Sequence, residues 1–249
     1  MSRRTFEQAL AAVDGIAGWM TPGQARQLFD AAAAVRSGGQ VVEIGSFRGR
    51  STVVIASALA PDVTLFAIDP HAGNDRGPQE IDGYAAAANT DHEVFMANLE
   101  HAQVDDLVQH IRAFSDHAHE DVAGSLAMLY VDGAHRYAPA RADIRDWGAR
   151  VEDDGTLLIH DAFSSIGVTL AIGRELLLSR RWRYVGRSRS LAVYRSDLPP
   201  TRAAMVANVG RQLAQVPWFV RNLLVKVALT LRLGPVLSAV RGRPVDWPY

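Results

Sequence analysis

Glu43, Gly45 and Gly49 fall in the stretch Val41-Val42-Glu43-Ile44-Gly45-Ser46-Phe47-Arg48-Gly49-Arg50-Ser51-Thr52. Their spacing suits a ligand-facing turn. A glycine lets the backbone turn sharply or approach a bound molecule, and a helix starting just beyond it offers free N–H groups. Asp69 closes the apolar run from Val63 to Ile68. It lies about twenty residues beyond the glycine turn, where a carboxylate is placed to accept hydrogen bonds from ribose hydroxyls. Two further apolar runs end in acids and imidazoles: Leu126 to Val131 delivers Asp132-Gly133-Ala134-His135, and Thr156 to Ile159 delivers His160-Asp161. In an open α/β sheet the chemistry gathers outside the carboxyl ends of the strands, so Glu43, Asp69, Asp132 with His135, and His160 with Asp161 should converge. The glycine turn and Asp69 in register point to a cofactor bearing adenosine. The spacing is not the Gly-x-Gly-x-x-Gly of dinucleotide binders, nor does it carry the Gly-Lys-Ser/Thr of a phosphate-binding loop.

Holding such a row of side chains requires a mostly parallel sheet with helices between its strands. The runs from Val41, Val63, Val108, Leu126 and Thr156 read as five strands, and Val53 to Leu59 as the helix after the glycine turn. Arg183 to Gly186 and Leu191 to Tyr194 read as a closing hairpin. Ahead of the first strand, Phe6, Leu10, Val13, Ala17 and Met20 recur at helical spacing over Thr5 to Met20. Thr21-Pro22-Gly23-Gln24 is a capping box with proline at the first helical position, opening a second helix that stops at Ser37-Gly38-Gly39. Trp19 and Met20 are expected to pack against the sheet. Residues 72–92 read as a mobile flap. His92, His101, His110, His117 and His119 share no spacing and are expected at the surface or in that flap.

With 249 residues, 48% hydrophobic and 21% charged, the chain suits one large α/β domain with additions. The absence of cysteine excludes disulfides, a thiolate nucleophile and a Cys-based zinc site. The start, Met1 to Glu7, lacks the apolar stretch of a signal peptide, so a cytoplasmic location is expected. Charge is unevenly spread. Residues 200–249 carry seven basic groups against Asp246, a net +6, which leaves −7 on residues 1–199 of a chain whose total is −1. We divide the chain there, into an acidic body and a basic helical extension. The body shows no basic stripe with interleaved aromatics, which argues against a nucleic-acid partner. In the extension, Phe219, Val220, Leu223, Leu224, Val227, Ala228 and Leu231 recur at helical spacing, interrupted by Arg221, Lys226 and Arg232. The interruptions argue against a membrane span. Docking on the body and a homodimer interface are expected, with peripheral membrane contact as the alternative.

Four motifs then combine: Glu-x-Gly-Ser-Phe-x-Gly-Arg-Ser-Thr from Glu43, Ile-Asp-Pro-His from Ile68, Val-Asp-Gly-Ala-His-x-Tyr from Val131, and Gly-x-Leu-Leu-Ile-His-Asp from Gly155. Together they resemble one family of class I S-adenosylmethionine (SAM)-dependent O-methyltransferases. It includes the macrocin and mycinamicin sugar O-methyltransferases and the mycobacterial enzymes that methylate polymethylated mannose polysaccharides. The likeness runs from about Trp19 to Tyr194. It implies a Rossmann-like, seven-stranded sheet with N-terminal helices and a helical C-terminal extension. It also implies SAM bound by Glu43, Gly45, Ser46, Gly49, Ser51, Asp69 and Ser115, the last where such enzymes contact adenine. In relatives that bind magnesium, the ligands map onto Asp132 and Asp161 and a base onto His135. Residue 160 is acidic in the macrolide enzymes and His here, which either suits manganese or another transition metal better than magnesium or leaves residue 160 outside the ligands. The implied reaction is methylation of a sugar hydroxyl on a polysaccharide, glycolipid or glycosylated metabolite. A divalent cation at Asp132, His160 and Asp161 would lower the hydroxyl pKa, and His135 would take the proton. A metal-independent methyltransferase and a non-enzymatic membrane-peripheral protein are the alternatives. A nicotinamide-dependent oxidoreductase would need the Gly-x-Gly-x-x-Gly that is absent.

Overall fold

The structure, a computed structural model, describes residues 3–71 and 84–232. The apolar runs become strands β1 (Gln40–Ile44), β2 (Thr64–Ile68), β3 (Val108–Ile111), β4 (Leu126–Val131), β5 (Val151–Ile159), β6 (Arg183–Ser188) and β7 (Leu191–Arg195). They form one sheet in the order β3-β2-β1-β4-β5-β7-β6. Pairing is parallel from β3 to β5, while β7 runs antiparallel to β5 and β6. Near-continuous burial along β1 and β4 reflects a sheet covered on both faces. Successive residues alternate between two apolar clusters: Val42, Leu129 and Trp147 share one, and Val41, Met128 and Ile55 the other. Between the strands run α3 (Arg50–Ala58), α4 (Tyr84–His101), α5 (Tyr137–Ala142) and α6 (Ile166–Glu175). The expected flap falls largely on residues 72–83, outside the described residues, and its last part is the start of α4.

Register builds the site. Ile44 pairs with Ile68 and with Val131, and Val131 pairs with Ile159. The residues that follow, Gly45, Asp69, Asp132 and His160, therefore leave the sheet in one row. Each is tied to a neighbouring strand: Gly45 N–H donates to Ile68 C=O (2.9 Å), Asp69 N–H to Ile111 (3.1 Å), Asp132 N–H to Ile44 (2.8 Å) and His160 N–H to Val131 (2.9 Å). Strand order reverses between β1 and β4, which opens a crevice at that end of the sheet.

At the N-terminus, α1 (Phe6–Ala12) and α2 (Pro22–Ala33) both begin with complete capping boxes, Thr5 with Gln8 and Thr21 with Gln24. The first helix is shorter than its spacing predicts. Gly15 and Gly18 take φ values of 79° and 152°, conformations a helix does not contain, so Ala17 to Met20 leave it. At the other end α7 (Arg202–Leu213) and α8 (Val216–Thr230) pack on the body through polar side chains. The Asn208 side chain accepts from Tyr184 N–H (2.8 Å) and donates to Trp182 C=O (3.0 Å); Asn222 donates to Phe163 C=O (3.0 Å). Val220, Leu224, Val227 and Leu231 remain exposed on α8. Among the described residues no helix is long and apolar enough to cross a membrane.

Candidate active site

A cavity of about 650 Å³ lies over the strand tips. Of the residues singled out in the sequence, Gly45, Ser46, Ser51, Asp69, Ser115, Asp132, His135, His160 and Asp161 line it. Glu43 and Gly49 do not reach it. Glu43 is fully buried and its carboxylate receives the hydroxyls of Ser51 and Thr52, the latter at 2.5 Å. Burial pushes its carboxyl up to about 8 against those two hydrogen bonds. It ties β1 to α3, and the Ser51 hydroxyl is committed to it. Gly49 opens α3 at φ 86°, with Phe95 3.2 Å from where a Cβ would stand, so it serves helix packing.

The cavity wall at β1 and β2 is set by the backbone. A Cβ on Gly45 (φ 88°) would sit 2.3 Å from the Asp132 carbonyl oxygen, so this position excludes any other residue. The Asp69 carboxylate accepts Phe47 N–H through Oδ2 and His71 N–H through Oδ1, both at 2.8 Å. Ser46 Oγ is buried without a hydrogen-bond partner. Ser115 Oγ donates to Asp143 Oδ1 (2.5 Å), and burial pushes that carboxyl up to about 6. Asp143 also lines the cavity. Sequence reasoning missed it because a π-helical turn, Asp143–Trp147, aims it inward.

Two expectations are corrected. Trp19 does not pack on the sheet: it is 42% exposed, lines the cavity and stacks on Phe47 with ring centroids 5.8 Å apart. The early end of α1 and the Arg50 guanidinium, which donates to Ile16 C=O, bring that segment over the glycine turn. Met20 borders the cavity as well as packing on the core. Nor are all the remaining histidines scattered. The rings of His71, His92 and His110 lie 5.0–5.4 Å apart, because the β2–β3 pairing sets His110 beside Ala67. His71 Nε2 lies 2.7 Å from the Phe47 carbonyl, to which it donates. Burial draws His110 down to about 4 and His92 downward too.

The wall at β4 and β5 is built from side chains. His135 Nε2 lies 2.8 Å from Asp161 Oδ2. His160 Nδ1 lies 3.1 Å from Asp132 Oδ1 and 3.9 Å from Asp161 Oδ2, and Tyr130 OH donates to Asp132 Oδ2 at 2.7 Å. Asp161 takes φ 53° and Phe163 φ 56°, and the carbonyl of Asp161 receives Ser164 and Ser165 N–H (3.1 and 2.9 Å). This left-handed turn directs the Asp161 carboxylate back toward the cavity. Burial works against charge throughout this set, yet the partners outweigh it. His135 is raised by the Asp161 hydrogen bond and charge. Asp161 is held well below the usual carboxylate range by His135 and His160. The charges of Asp132 and Asp161 carry His160 up to about 9.

A divalent cation needs convergent oxygens with open lone pairs. Here Asp161 Oδ2 faces His135, Asp132 Oδ2 accepts from Tyr130, and Asp132 Oδ1 faces His160. Among the described residues no group of three or more His, Asp or Glu is arranged to hold a metal ion. As arranged, Asp132, His160 and Asp161 form an imidazole–carboxylate set and do not fit a cation. A nucleoside-bearing cofactor does fit the other wall, where Gly45 clears the backbone and Ser46 Oγ lacks a partner.

Residues 42–162 match the methyltransferase domain family. The fold is similar to that of cofactor-bound Rv0187 from MTB, at 18% identity and TM-score 0.55 over 76% of this chain and 88% of that one. It is similar to the O-methyltransferase NovP, at 17% identity and TM-score 0.57 over 70% of this chain and 78% of NovP. TomG from Streptomyces achromogenes, an O-methyltransferase involved in tomaymycin synthesis and solved in complex with SAM, matches at 17% identity and TM-score 0.52 over 79% of this chain and 91% of TomG. Strand order and the likeness to these structures give the chain the class I, Rossmann-like methyltransferase fold, with the methyltransferase domain match falling on residues 42–162 of it.

Proposed function

We propose that the chain is an O-methyltransferase acting on a sugar hydroxyl of a polysaccharide, glycolipid or glycosylated metabolite, with His135 as the base. The observation that carries this reading is the 2.8 Å pair of His135 Nε2 and Asp161 Oδ2 on the cavity wall. SAM, when bound, supplies an electrophilic methyl group, and Gly45, Ser46, Asp69 and Ser115 are the residues that would hold it. Asp161 accepts from His135 Nε2–H, which leaves the lone pair on Nδ1. The His135 side chain is 38% exposed, so that nitrogen is open to an acceptor. A sugar hydroxyl is a poor nucleophile until its proton leaves, and His135 Nδ1 takes that proton. Asp161 holds the ring in place and stabilises the imidazolium that results. The acceptor class is supported by the motif likeness from Trp19 to Tyr194, and by the exposed Trp19 ring at the cavity. The engagement of Asp132 and Asp161 by imidazoles favours the metal-independent form of the reaction.

We place the enzyme in the cytoplasm, with residues 1–199 as the catalytic body and 200–249 as an extension whose exposed α8 stripe pairs two copies. Calorimetry with S-adenosylhomocysteine, followed by methyl transfer to glycosylated acceptors with and without chelator, tests the function. Binding and chelator-resistant transfer are expected. No binding at millimolar ligand overturns the methyltransferase reading, and transfer to non-sugar acceptors alone overturns the acceptor class.

A further inference from the structure

Phe47 and His71 are non-glycine residues in the left-handed region, at φ 46° and 45°. Phe47 is the more strained. Gly49 N–H donates to Ser46 C=O (2.8 Å), which makes Ser46 to Gly49 a tight turn with Phe47 at its first central position. Glycine is the usual residue where that position takes a positive φ, and a bulky side chain persists there only when its surroundings hold it. Three hydrogen bonds link Phe47, Asp69 and His71 in a closed loop. Phe47 N–H donates to Asp69 Oδ2 and His71 N–H to Asp69 Oδ1, each at 2.8 Å. The His71 side chain completes the loop, Nε2–H donating to Phe47 C=O at 2.7 Å. A carbonyl can only accept, so that nitrogen carries a proton. His71 is buried, and its ring packs among His92, Phe95 and His110 with centroids 5.0–5.4 Å away, so it is held on that carbonyl. The Phe47 ring meanwhile stacks on Trp19 at the cavity. A glycine at this position would relieve the strain and lose that stack.

We propose that His71 is a positioning residue of the cofactor site: its Nε2–H clamps Phe47 in the left-handed conformation, which keeps Phe47 N–H on Asp69 and the Phe47 ring on Trp19. This rests on the methyltransferase reading, in which Asp69 receives the ribose hydroxyls. One backbone amide on each oxygen fixes the plane of the Asp69 carboxylate, and a carboxylate oxygen can accept twice, so each keeps capacity for a hydroxyl. Without the clamp Phe47 relaxes toward negative φ, and the carboxylate loses the amide that holds Oδ2. The support under Trp19 goes with it. One buried imidazole thus ties the nucleotide end of the cavity to its aromatic wall, from behind both.

The test is a double-mutant cycle on the full-length protein, read as calorimetric affinity for S-adenosylhomocysteine. His71→Asn keeps the left-handed backbone, which asparagine tolerates, but its shorter amide does not reach Phe47 C=O. Affinity should fall by about tenfold, the scale of one lost hydrogen bond. His71→Gln returns an N–H donor to the place of Nε2–H and should bind like the wild type. In a Phe47→Gly background the turn needs no clamp, because glycine takes a positive φ freely, so there His71→Asn should change affinity little. A folded His71→Asn protein with wild-type affinity overturns the proposal. So does a His71→Gln protein as weak as His71→Asn, or a loss from His71→Asn that is undiminished by Phe47→Gly, either of which would make His71 a contact of the ligand or a support of the fold. A wild-type protein that does not bind S-adenosylhomocysteine would instead sink the methyltransferase reading. The clamp is then judged from the urea-unfolding midpoints of the same cycle, where additive shifts overturn it.

Discussion

On the β1–β2 side of the cavity the carboxylate meets donors that do not titrate near neutral pH: Asp69 accepts from two backbone amides. On the β4–β5 side the same kind of side chain meets imidazoles, His135 at Asp161 and His160 at Asp132, with Tyr130 completing the second pair. A carboxylate locked by amides can hold a ligand but has no proton to pass on. One that faces an imidazole sets the basicity of a group that does. The two walls thus divide binding from proton transfer, although both begin at equivalent strand tips.

The largest expected effect tests that division directly. His135→Ala should lower turnover by about a hundredfold or more, the usual contribution of a positioned base, while leaving S-adenosylhomocysteine affinity unchanged. Asp69→Ala should do the reverse, weakening the ligand by roughly tenfold or more with the hydrogen bonds it loses. Calorimetry and initial rates on both variants check this, and swapped outcomes would break the comparison.

Asp161→Asn sharpens it. Because Asp161 raises His135, the wild-type rate should climb with pH through a value above the ordinary histidine range. Losing the carboxylate should shift that limb to lower pH and cut turnover by about tenfold, as expected for a group that orients the base. A pH–rate profile that keeps its limb in place would show that another group titrates.

The histidine cluster behind Asp69 predicts a smaller, pH-dependent loss of stability. Burial holds His110 at about 4 against an ordinary 6.5, so between those values the unfolded chain binds more protons. The stability from the neutral cluster is fully present above 6.5 and is lost as pH falls toward 4. Thermal unfolding as a function of pH should slope upward across that window, and His110→Gln should flatten it. The smallest effect is expected from chelation. If the β4–β5 carboxylates are occupied by imidazoles, a chelator should leave the rate essentially unchanged. A rate abolished by chelator and restored by magnesium or manganese would return Asp132 and Asp161 to cation binding.

Much of the scaffold was legible in the chain because it depends on short-range pattern. Uninterrupted apolar runs mark strands buried on both faces, the capping box at Thr21 marks a helix start, and acids at the ends of those runs mark the edge where ligands bind. Other features were not, because their cause lies far along the sequence. The end of α1 was obscured by apolar spacing that continued past Gly15 and Gly18, and with it went the place of Trp19. His110 looked like a surface residue until the β2–β3 register set it beside His71.

By itself the sequence determined the row of strand-tip residues, since an apolar strand followed by an acid or a glycine carries its meaning locally. Only the tertiary structure decided what each member of that row faces. Glu43 meets α3 because that helix presents Ser51 and Thr52 to it. Asp161 became the partner of His135 because a left-handed turn points it back. Gln24 reached His160 across 136 positions of chain because α2 packs over the ends of the sheet. Hydrogen-bond partners at such separations are chosen by packing, and no local pattern in the sequence records them.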